Sequence, residues 1–129
     1  MTRHVRPAAV AGVFYPGSQR ALKGDVDEML RQARRARLRS PKAIIAPHAG
    51  YIYSGPVAAS VYAPLADLRG KVKRVVLLGP THRVPIDGLA VPSSEAFATP
   101  LGNVPIDRQA IASIEDMAQI VVSDEAHAL

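Results

Sequence analysis

Ala43-Ile44-Ile45-Ala46-Pro47-His48 and, further along, Val75-Val76-Leu77-Leu78-Gly79-Pro80-Thr81-His82 are the two stretches that decide the fold. Each is a short continuous apolar run followed by proline and histidine, the pattern of a strand buried on both faces. Between them, Pro56 to Leu65 is rich in Ala and Val and long enough for a helix, which Pro64 cuts near its end. Strand, helix and strand at this spacing predict a βαβ crossover, with parallel strands and a right-handed connection.

Outward from this centre the same alternation continues. Met1 to Ser18 holds Pro7, Gly12, Pro16 and Gly17 around an apolar run and reads as an extended segment ending in a turn. From Ser18, an N-cap residue, apolar positions recur at Leu22, Val26, Met29, Leu30, Ala33 and Leu38, a helical period that Gly24 weakens and Pro41 ends. Leu89-Ala90-Val91 is a weaker strand, Ile106 to Ala118 a helix starting at Asp107, and Ile120-Val121-Val122 a final strand. The fold class is α/β.

Composition narrows the chemistry. A chain of 129 residues, 48% hydrophobic and 21% charged, has the balance of one soluble globular domain. With two Phe, four Tyr and no Trp, aliphatic side chains carry the packing. The absence of Cys excludes disulfides, thiolate metal sites and cysteine nucleophiles, so any metal needs His, Asp or Glu. No apolar run reaches the roughly 18 residues of a membrane span, and no signal-peptide pattern opens the chain. A cytoplasmic location is the expectation. Of sixteen basic residues, six (Arg31, Arg34, Arg35, Arg37, Arg39 and Lys42) cluster without an acid between them, and the remainder is nearly neutral. Such a cluster opposes the negative end of a helix dipole. No aromatics are interleaved to stack on bases, so nucleic acid is not the expected partner.

In an open parallel sheet, ligands bind beyond the carboxyl ends of the strands. His48 and His82 each follow an apolar run, so neighbouring strands would project both imidazoles from one edge. Two imidazoles plus another donor make a usable divalent-metal site. Singly, each is as readily a hydrogen-bonded loop residue. Tyr51 and Tyr53 flank the first His and offer phenol donors, an aromatic wall, or a cover for the core. His4 reads as solvated. His127, in Asp124-Glu125-Ala126-His127, reads either as a frayed terminal residue or as a base or supporting partner at the same edge. No P-loop, dinucleotide fingerprint or nucleophile elbow is present.

Several segments together resemble the Memo family, whose prokaryotic members are called AmmeMemoRadiSam system protein B. They are Arg6-Pro7-Ala8, Ala11-Gly12-Val13-Phe14-Tyr15-Pro16, the block Ile45 to Gly55, Leu78-Gly79-Pro80-Thr81-His82, the Thr99-Pro100-Leu101-Gly102 turn, and Asp124 to His127. They run in the family's order along essentially the whole chain. The resemblance implies a three-layer α/β/α fold with a largely parallel central sheet, similar to the LigB-type class III extradiol dioxygenases with their non-haem iron. It implies metal-pocket roles for His48 and His82, ligand contacts from Phe14, Tyr51 and Tyr53, and supporting positions for Asp124 and His127. Iron or copper is the implied metal of the full-length form, with a redox role and with radical-SAM and AMMECR-type proteins as partners. A Memo-like chain would continue past Leu129 into a second half carrying further ligands. The expectation is therefore an N-terminal half-domain that binds metal weakly or not at all by itself and self-associates through an exposed half-core. A different class of function is a non-catalytic module holding a peptide or small anion in the same His and aromatic pocket.

Overall fold

The computed structural model describes residues 4–34 and 40–128. The chain forms two compact units, one comprising Val10–Val75 and the other joining Met1–Ala9 to Val76–Leu129.

In the first unit, the backbone turns sharply at residues 10–15, where Gly12 donates to the Tyr15 carbonyl at 2.7 Å and Phe14 to the Val10 carbonyl at 2.9 Å. Helix α1 spans Gln19–Gln32 and starts as expected, with the Ser18 side chain accepting from the Ala21 N–H. Its apolar stripe buries Leu22, while Lys23–Asp27 and Arg31–Glu28 ion pairs lie on its exposed surface. Helix α2 spans Tyr51–Tyr62 and passes into a 3-10 turn, Ala63–Leu68, with Pro64 in its first turn. The two helices pack on one another around Leu22, Ala59 and Ala63. At the crossing, Gly55 is buried against Met29, so close that a Cβ would lie 2.4 Å from the Met29 Sδ.

The second unit contains β1 (Val5–Arg6), β2 (Leu89–Val91), β3 (Ala96–Thr99), β4 (Gly102–Pro105), the short helix α3 (Arg108–Ala112) and β5 (Ile120–Val122). One sheet has the order β1-β3-β4, with β1 parallel to β3 and β3 antiparallel to β4 through the Thr99 to Gly102 turn. The other pairs β2 with β5 in parallel, Leu89 opposite Ile120 and Val91 opposite Val122. Gly88 makes that pairing possible. Its φ of +109° suits glycine, and a Cβ there would meet the Gln119 carbonyl oxygen at 2.3 Å, next to the Leu89 N–H bond to the same oxygen.

The α/β class holds, but the parallel pairing lies elsewhere than the two apolar stretches. Neither residues 43–46 nor residues 75–78 belong to a strand, so the predicted βαβ crossover is not formed among the described residues. Ile45 is 94% exposed, Val76 86% and Leu77 81%. A parallel strand buried on both faces needs a ladder neighbour and a covering layer, and these runs have neither here. Each uncovered Ile, Val or Leu forgoes about 1.5–3 kcal/mol of burial.

Helix boundaries also shift. Helix α1 ends at Gln32 with Ala33 extended, short of the expected reach to Leu38, and like charges at Arg31 and Arg34, three residues apart, disfavour its continuation. Arg35, Arg37, Leu38 and Arg39 lie outside the described residues. Helix α2 begins five residues before Pro56 instead of at it, since Gly50 accepts from both Tyr53 and Ser54 and opens the first turn. The helix predicted to Ala118 stops at Ala112. Ile114, Met117 and Ile120 then close successive i to i+3 turns that deliver the chain into β5. Asp107 caps α3 as expected, accepting from Ala110 at 3.0 Å.

Candidate functional site

In the first unit, the segment carrying His48 is anchored immediately after the imidazole. The buried Ser54 hydroxyl donates to the Ala49 carbonyl at 2.6 Å, and the Tyr51 N–H donates to the Phe14 carbonyl at 2.8 Å. Gly50 lies so near Phe14 that a side chain there would sit 3.6 Å from the Phe14 carbonyl oxygen. The turn at residues 10–15 and the block following His48 are thereby fastened together. Tyr15 and Tyr51 meet with ring centroids 5.5 Å apart in a tilted pair. Burial, with Tyr15 and Tyr62 nearby, pushes the Tyr51 phenol up from its ordinary range.

Tyr51 and Tyr53 are helical residues of the first turn of α2. Tyr51 is half-buried, whereas Tyr53 is 79% exposed and Phe14 48% exposed. The structure therefore gathers Phe14, Tyr51 and Tyr53 around the segment that carries His48, with two of the three rings open to solvent. His48 is itself exposed.

His82 belongs to the second unit and is also exposed. Because residues 43–46 and 75–78 form no sheet, no strand edge of the described residues projects the two imidazoles together. Among the described residues, no three His, Asp or Glu side chains converge in a way that could hold a metal ion. The imidazoles are chemically suited to a transition metal, but a complete donor set is not assembled from this chain's described residues.

The chain's last described turn is better organised than a frayed end. His127 closes a 3-10 turn, Glu125–His127, and its Nε2 lies 3.0 Å from the Ala90 carbonyl of β2. Its carbonyl accepts from Arg6 Nη1 at 2.8 Å, and its ring is 5.8 Å from that of Phe97. The Arg6 guanidinium stacks 3.9 Å over Phe97. The Asp124 carboxylate accepts from both the Ser93 hydroxyl and the Ser93 N–H. Those two bonds, the hydroxyl first, hold Asp124 below the usual carboxylate range, and the neighbouring His4 and His127 add to the effect. Sequence reasoning assigned no contact role to Arg6, Phe97 or Ser93. Only the Phe97 position in an apolar, turn-bounded run signalled a packed strand.

An α/β chain with a histidine-bearing loop fastened to an aromatic turn is the class that these elements define. The chain belongs to the Memo family, matching the Memo-like protein family over residues 6–129. It is 38% identical to a MEMO1 family protein of Ignicoccus hospitalis, over 96% of this chain and 47% of that protein. It is 42% identical to a MEMO1 family protein of Aquifex aeolicus, over 80% of this chain and 37% of the relative. The protein memo-1 homolog of Caenorhabditis elegans is 38% identical over 82% of this chain and 29% of its own length. The chain thus spans less than half the length of these relatives. Among the described residues no helix is long and apolar enough to cross a membrane.

Proposed function

We propose that this chain supplies part of a divalent-metal pocket, for iron or copper, with His48 and His82 as its ligands and Phe14, Tyr51 and Tyr53 beside the ligand space. The observation that carries this is the anchoring of the His48 segment. Ser54 fixes the Ala49 carbonyl and Phe14 fixes the Tyr51 N–H, so the backbone that follows the imidazole is braced at two points. The exposed rings of Phe14 and Tyr53 leave room for a ligand or for further chain. The redox role of such a pocket needs donors beyond two imidazoles, so catalysis is assigned to a family-length polypeptide and not to these residues alone.

Elemental analysis after dialysis tests it. Weak, sub-stoichiometric binding of Fe(II), Cu(II) or Zn(II) by this chain, lost in His48→Ala and in His82→Ala and strengthened in a family-length form, is the expected result. Tight one-to-one retention by this chain would overturn the partial site and require a third ligand within it. Metal content unchanged in His48→Ala, with weakened peptide or anion binding, would instead establish the binding-module function. Partnership with radical-SAM and AMMECR-type proteins, in the cytoplasm, belongs to the same proposal and is tested by co-purification with each.

A further inference from the structure

We propose that Met29 is a modification site for peroxide, where oxidation of the thioether to a sulfoxide loosens the packing of α1 on α2. The oxidisable sulfur of this chain is all methionine, since it has no Cys to intercept an oxidant and three Met: Met1, Met29 and Met117. Met1 lies outside the described residues. Met117 is exposed, so an oxygen added there meets water. Met29 is half-buried, within reach of a small oxidant, and its sulfur is seated on the neighbouring helix of the same unit.

The seat is Gly55. Its missing side chain leaves a hollow that Met29 fills: a Cβ there would lie 2.4 Å from the Met29 Sδ and 3.3 Å from its Cε. Hydrogen peroxide oxidises a thioether by two electrons, as the O–O bond breaks, an S–O bond forms and water leaves. The sulfoxide is larger and polar. Its oxygen either enters the hollow, where the backbone N–H groups of α2 are already committed to the helix, or swings the side chain out. Both outcomes end the contact with Gly55. The buried apolar side chains among the described residues are Leu22, Ala59 and Ala63, in these helices and the turn that follows, so little other packing compensates. A methionine sulfoxide reductase releases the oxygen as water while two thiols become a disulfide, which makes the modification reversible. The inference rests on this contact and stands apart from the metal pocket.

Treatment of the chain with hydrogen peroxide provides the test, with peptide mass spectrometry locating the added oxygen and hydrogen exchange reading the packing. Oxidation at Met29 is expected to accelerate exchange of the Ala59 and Ala63 amides roughly tenfold or more, and methionine sulfoxide reductases of both epimer specificities should restore the slow rate. Met29→Leu nearly conserves volume and cannot be oxidised, so it should exchange at the untreated rate before and after peroxide. Met117→Leu should respond as the unsubstituted chain does. Met29 left unmodified while Met117 is fully oxidised would overturn the proposal. So would a Met29 sulfoxide that leaves Ala59 and Ala63 exchange unchanged, or a response that disappears in Met117→Leu and persists in Met29→Leu.

Discussion

Asp124 is the residue whose chemistry most directly ties β2 to β5. Its carboxylate receives two bonds from Ser93, just beyond β2, while the neighbouring Ser123 N–H donates to the Val91 carbonyl at 3.0 Å. Because the folded carboxyl is held below its ordinary range, its contribution is present above the unfolded pKa and is lost as pH falls through the folded one. The Ser93 amide should therefore shift in an NMR titration with an inflection below the ordinary aspartate range. Asp124→Asn should abolish that inflection, and an inflection at the unperturbed position would show that the Ser93 bonds do not persist in solution. Tyr51 runs the opposite way. Its raised pKa favours the neutral phenol, so folding weakens as alkaline pH ionises the unfolded tyrosine first. The residues legible in the sequence were those acting through local rules, such as Ser18 and Asp107 as caps. Arg6, Phe97 and His127 act through contacts more than 25 residues apart in sequence, which no local pattern encodes.

The elements carry two glycine positions that resist a side chain for different reasons, backbone at Gly88 and a flexible side chain at Gly55. At Gly88, a methyl group meets backbone, the Gln119 carbonyl oxygen at 2.3 Å, and the positive φ adds strain, so neither neighbour nor chain can yield cheaply. Gly88→Ala should cost about 2 kcal/mol or more in urea unfolding and erase the protection of the Leu89 amide. At Gly55 the obstacle is the Met29 thioether, which is flexible, and alanine gains about 1 kcal/mol in helix propensity. Overpacking costs of about 1–3 kcal/mol outweigh that gain while Met29 is present. Gly55→Ala should thus destabilise by about 1 kcal/mol alone and become neutral or stabilising in a Met29→Ala background. A cost independent of Met29 would show that the helix crossing is not set by this contact. Element identity followed the sequence where short-range signals agreed, in α1, α2, β2 and β5. It failed at residues 43–46 and 75–78, whose apolar character describes an environment of covering layers and not a backbone preference.

At the scale of the whole molecule, the buried apolar side chains among the described residues are Leu22, Ala59 and Ala63, one of them large. That is a thin core for a chain of 129 residues, and much of its aliphatic content lies on the surface, where it stabilises nothing. The position of the stabilising contacts can be tested by charge insertion. Lysine in place of Ile45, Val76 or Leu78 removes no packed neighbour, so each change should alter unfolding free energy by no more than about 0.5 kcal/mol. The same substitution at Leu22 replaces a side chain buried between α1 and α2 and should cost several kcal/mol, on the order of 3–5. Binding of the dye ANS supplies an independent reading, because it reports exposed apolar surface. The chain should bind ANS at neutral pH, and the three lysine variants together should lower that signal without changing the helical circular dichroism. If Val76→Lys or Leu78→Lys instead unfolds the chain, these runs form a core in solution, and the stability of the protein resides in the sheet that its sequence first suggested.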